Sequence, residues 1–197
     1  MFEDVEIRLK NKNKIVFTRD SKCLQELINL IRLQKHKTLV LWAFTCVEEP
    51  LRQIESKYDS KVPRIAYECC KSWAQGDVKM AVAKQAILDC HQLCKQFKDE
   101  VSIALCHAIG QGLSTVHVET HAIGLPMYEL TAIVLQNKEN YQEKVINKIR
   151  YYIDTLYYFQ NNIENDNYKW ADFLKKENIP NKENELWENK KLKSKSY

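Results

Sequence analysis

Glycine and proline are too scarce in this chain for an all-β fold: four of each in 197 residues cannot supply the tight turns such a fold needs. Apolar residues recur at helical spacing instead. Asp20 or Ser21 can cap a helix with Leu24, Leu27, Ile28 and Ile31 on one face. A second helix starts near Lys37 and carries Leu41, Trp42, Thr45 and Cys46, and Pro50 kinks or restarts it before Leu51, Ile54 and Tyr58. Ser60 to Pro63 opens the next helix, which runs through Trp73 and stops at Gly76, and Asp77 caps another that reaches Phe97. Asp99 caps a segment from Glu100 to about Val118, and a break over Ala122–Pro126 precedes a short helix to Gln136. A long helix follows over Lys138–Phe159, and a last amphipathic one over Tyr168–Glu177. Only residues 5–18 read differently: alternating Val5, Ile7 and Leu9, a polar turn, then Ile15–Thr18 predict a short β-hairpin. The predicted fold is all-α, a multi-helix bundle with that hairpin at its start.

Three regions follow from this pattern. Residues 1–20 form an N-terminal extension, 21–177 the helical bundle, and 178–197 a charged tail that is mobile or docks through Trp187. Met1–Lys14 has seven charged residues and no apolar run, unlike a signal peptide, and the longest apolar stretch, Thr38–Val47, is about half a membrane span. The seven cysteines sit in helix-like segments beside apolar neighbours, as reduced core residues do, so a cytoplasmic location is expected. Thirty basic and 26 acidic residues give a net charge of +4, with no basic stripe interleaved with aromatics. Neither a nucleic-acid nor a membrane partner is expected; a homo-oligomer remains open.

Chemistry-bearing residues concentrate in one place. His91, His107, His117 and His121 lie within 31 residues of one another. On a continuous helix His117 and His121, four apart, would share a face and could hold one metal ion. His107 would then sit roughly 15 Å away along the axis, so a site using all three needs a break at Gly110, Gly112 or Gly124. In His117-Val118-Glu119-Thr120-His121 the acid is central, which fits neither zincin pattern. Cys90-His91-x-x-Cys94 places thiols and an imidazole on neighbouring helix positions but lacks a paired zinc knuckle. Hydrogen-bonded structural histidines and core cysteines are the simpler assignment, and no cofactor is expected. The Tyr151, Tyr152, Tyr157, Tyr158 and Phe159 stripe can serve as core or as a partner-binding surface.

Three stretches are less generic: Leu41-Trp42-Ala43-Phe44-Thr45-Cys46-Val47-Glu48, Cys70-Lys71-Ser72-Trp73-Ala74-Gln75-Gly76-Asp77, and His107-Ala108-Ile109-Gly110 leading through Ser114-Thr115-Val116-His117 to His121-Ala122-Ile123-Gly124 and Tyr128. In this order and spacing, over about residues 38–135, they resemble the Imm-5-like family of immunity proteins from bacterial polymorphic toxin systems. The resemblance implies an all-helical cytoplasmic protein that protects its producer by binding a cognate protein toxin, without catalysis. Trp42, Trp73, Gly76, His107, His117, His121 and Gly124 are the positions it carries over. The alternative is a metal-dependent or small-molecule enzyme with a His107, His117 and His121 site inside the bundle. It requires those rings to converge in a concave pocket.

Overall fold

Apolar periodicity becomes helix almost throughout the computed structural model, which describes residues 1–164, 167–176 and 179–194. In chain order the helices are α1 (Glu3–Lys10), α2 (Gln25–Arg32), α3 (His36–Cys46), α4 (Glu48–Tyr58), α5 (Val62–Gln75), α6 (Met80–Cys94), α7 (Glu100–Ser114), α8 (Gly124–Gln136), α9 (Tyr141–Asn162) and α10 (Lys182–Ser194). Short 3-10 turns cover Lys22–Leu24 and Glu119–His121, and no strand occurs among the described residues. The fold is an all-α bundle. Helix α7 lies at its centre, packed against α3, α4, α5, α6 and α8, while α9 closes the far side over α3 and α8.

Local chemistry accounts for the main boundaries. Asp99 caps α7 by accepting the Ser102 N–H at 2.9 Å. Gly76 ends α5 with φ +82°; its N–H donates to Trp73 O at 3.0 Å and the Asp77 N–H to Ser72 O at 2.8 Å, a Schellman closure. Pro50 and Pro63 both fall in first turns, where no backbone donor is lost.

The N-terminal hairpin is not formed; residues 3–10 are helix α1. Val5 and Leu9, four apart, turn toward the core, whereas Ile7 is 59% exposed. Glu3, Asp4 and Glu6 at the start and Arg8 and Lys10 at the end match the helix dipole, a signal outweighed in the sequence by the alternation. Val16 and Phe17 are buried in extended chain, and the Val16 N–H donates to Thr131 Oγ1 at 3.2 Å. The β-branched run is thus a tether across the core.

Two C-terminal segments also differ from expectation. Residues 168–176 form a loop with one turn, held by the Ala171 N–H on Ala74 O at 2.7 Å; Glu177 lies outside the described residues. Beyond Pro180 the chain is helical in α10, and its docking reaches beyond Trp187. The Asn181 side chain donates to Ile31 O and Gln34 O at 2.9 and 3.1 Å, and buried Glu183 receives Arg19 at 2.9 Å. Trp187 lies under the Arg32 guanidinium, 4.2 Å from the ring centroid. Asn178 and the last three tail residues lie outside the described residues.

Candidate functional site

Two of the histidines, His117 and His121, lie just past the C-terminal end of α7. Helix α7 stops at Ser114, so the continuous helix that would align His117 with His121 does not exist. His117 sits in the following turn and His121 closes the 3-10 turn Glu119–His121. His36, on α3, holds this segment in place: its Nε2–H donates to Thr115 O at 2.7 Å, and its Nδ1 lies 3.6 Å from the Glu119 carboxylate.

The break lets the two rings line one cleft of about 250 Å³. Trp73 and Ser114 join them from α5 and α7, and Met80, Leu88 and His91 from α6. Trp73 is the pivot: its ring lies 6.2 Å from His117 and stacks on Phe173 of the returning loop at 5.1 Å. Gly76 starts the chain reversal beside it, and a side chain there would be strained at its positive φ. Met80 and Leu88 stand at the rim, 49% and 46% exposed. The lining is therefore largely aromatic and apolar, with the imidazoles, Lys84 and Ser114 as its polar groups.

His121 is held in one tautomer. Its Nδ1–H donates to Gln111 Oε1 at 2.8 Å, which leaves Nε2 as the acceptor. Burial lowers its pKa below the ordinary 6.5, and the nearby His117, His91 and Arg19 charges act the same way. Gly124 makes room for this arrangement, because a Cβ there would fall 2.4 Å from Gln111 Oε1.

His107 points elsewhere. Its ring packs on Tyr128 at 5.0 Å and lines a separate cavity of about 560 Å³ with Glu100, Ile103 and Leu135. His107, His117 and His121 do not bring their ligand atoms together; among the described residues the group of three that converges is His91, Cys94 and His107. Cys94 is buried, and its thiol is pulled down to about 5, first by the Cys106 thiol beside it and then by His91 and His107, against burial. Cys106 is pushed strongly upward by Cys90 and Cys94.

Trp42 belongs to another region. It is fully buried, its Nε1–H donates to Tyr152 O at 2.9 Å, and its role is packing α3 against α9. Beside it lies a polar group that the sequence reading missed. Lys148 Nζ is 2.6 Å from Glu129 Oε1 and 2.6 Å from Glu49 Oε2, and the Tyr152 hydroxyl donates to the second Glu129 oxygen. Burial raises the Glu129 carboxyl despite Lys148, and Lys148 is held above its ordinary value by both carboxylates although burial opposes it. The signals were present: Glu129 is the one charged residue of α8, and Lys148 falls on the Val145, Ile149 and Tyr152 stripe.

No helix among the described residues is long and apolar enough to cross a membrane. No curated protein and no solved structure matches the chain. The sequence model of the Imm-5 like putative immunity protein family matches residues 29–155, which extends beyond the three motifs at both ends and covers more than half of the chain. By that match the chain belongs to the Imm-5 like putative immunity protein family.

Proposed function

We propose that this chain is a non-catalytic immunity protein that binds and neutralises a cognate protein toxin in the bacterial cytoplasm, and that the contact centres on the Trp73 cleft. Membership of the family supports a toxin as the partner. The observation that carries the surface is the meeting of Trp73, His117 and His121 in one concavity, rimmed by exposed Met80 and Leu88. Interfaces draw most of their affinity from such aromatic and apolar anchors set in a pocket. Phe173, 37% exposed and stacked on Trp73, extends the same surface. A net charge of +4 is the wrong sign for masking a basic nuclease site, so recognition here rests on shape and apolar burial.

The test is protection of a bacterial host expressing the toxin encoded beside this gene, with co-purification of the two proteins. The double substitution Met80→Asp, Leu88→Asp alters only exposed side chains, so its helical content and melting temperature are expected to match the wild type. Protection and co-purification are expected to disappear. Tyr158→Asp, on the exposed face of α9, is expected to protect normally. A wild-type chain that gives no protection, or a double variant that protects fully, would overturn the proposal.

A further inference from the structure

We propose that His91, Cys94 and His107 form a zinc site that ties α6 to α7, a reading that does not rest on the toxin contact although His91 also lines that cleft. Their ligand atoms all lie within 4.8 Å of one another. Zinc bonds of about 2.0–2.3 Å set tetrahedral ligands roughly 3.3–3.8 Å apart, so small side-chain rotations close the set around an ion. Two imidazoles and one thiolate suit zinc, whereas calcium and magnesium take oxygen donors.

The backbone places these donors for a reason. His91 and Cys94 are three apart on the last turns of α6 and share its face toward α7. The His91 and His107 rings lie 5.8 Å apart. One turn beyond His107, Gly110 leaves the notch in which the His91 ring sits: a Cβ there would fall 2.3 Å from His91 Cε1. Neither imidazole is within ion-pair distance of a carboxylate among the described residues; the histidine that is so paired is His36.

Access is also built in. Cys94 is buried, but His91 lines the 250 Å³ cleft and His107 the 560 Å³ cavity, so the group lies between two openings. Binding takes Cys94 as the thiolate. Three protein ligands leave a fourth position for water or an added donor.

The full-length chain without a histidine tag, reduced and stripped with a chelator, is titrated with Co²⁺ alone and then with Zn²⁺. One Co²⁺ per chain is expected, with tetrahedral visible bands and a thiolate charge-transfer band that Zn²⁺ abolishes. Cys94→Ser should lose the charge-transfer band, and His107→Ala should weaken Zn²⁺ binding by more than about 100-fold. Gly110→Ala keeps all three donors and a good helix former, yet should lose the site by displacing His91. Cys23→Ser, at a half-buried thiol outside the group, should bind as the wild type does. No tetrahedral Co²⁺ spectrum in the wild type, or an unchanged spectrum in both Cys94→Ser and Gly110→Ala, would overturn the site. So would loss of the charge-transfer band in Cys23→Ser.

Discussion

The two ends of this bundle treat polar groups in opposite ways. Around α8 and α9, Lys148, Glu129 and Tyr152 are buried and bonded to one another, with Trp42 locked against the same helix. Around α7 and the adjoining ends of α5 and α6, His91, His107 and His121 are half-buried and His117 is exposed; the four open onto two cavities and have no carboxylate partner within ion-pair distance among the described residues. Glycines accompany the second region, where Gly110 and Gly124 leave room for His91 and Gln111. Saturated buried polar groups fix an architecture; half-exposed, unsaturated ones beside cavities are available to something else.

The largest effect should come from breaking the saturated end. Lys148→Met leaves the Glu129 carboxylate without its buried cation, and urea unfolding should reveal a loss of about 3–5 kcal/mol. Glu129→Gln combined with Lys148→Met removes both charges and should recover much of that loss. If the single variant is as stable as the wild type, this end is not the rigid one. Trp42→Phe keeps an aromatic ring but removes the Nε1–H donor to Tyr152 O and part of the buried area. It should cost about 1–3 kcal/mol in the same assay.

At the histidine end the effects on stability should be smaller. Gly124→Ala forces the flexible end of Gln111 aside and breaks its bond to His121, at a cost of about 1 kcal/mol. A shift of the His121 ring resonances in NMR spectra would register the broken bond, and unchanged resonances would contradict it. The smallest effect concerns pH. His121 has a lowered folded-state pKa, so its contribution to stability is present above the ordinary value of 6.5 and is lost as pH falls through the folded value. Urea midpoints of wild type and His121→Gln, measured at about pH 7.5 and 5.5, should differ more at the higher pH. A gap that widens toward acid would contradict the assignment.

Much of the architecture was legible because helix periodicity and caps act locally. Asp99, Gly76 and Pro63 each set a boundary through their own backbone chemistry, and the α9 stripe of Val145, Ile149, Tyr152 and Leu156 is buried as its spacing implies. The errors arose where one pattern serves two structures. Val5, Ile7 and Leu9 alternate, yet Val5 and Leu9 alone also make one side of a short helix. Trp170, Phe173 and Leu174 looked helical but belong to a loop shaped by its bond to Ala74 and by Trp73.

The site was only half legible, because spacing cannot reveal what a chain reversal brings together. Trp73 and His117 are far apart in sequence and meet through the Gly76 turn and the end of α7. His91 stood out as one of four clustered histidines and in Cys90-His91-x-x-Cys94, but its position between His107 and the cleft depends on the missing Gly110 Cβ on another helix.

The most direct test of the contrast between the two ends is backbone hydrogen exchange of the chain, alone and bound to its toxin. Added protection is expected at residues 73–91 and 114–121, with no change along α8 and α9. Protection confined to the exposed Tyr151, Tyr157 and Tyr158 face of α9 would contradict it.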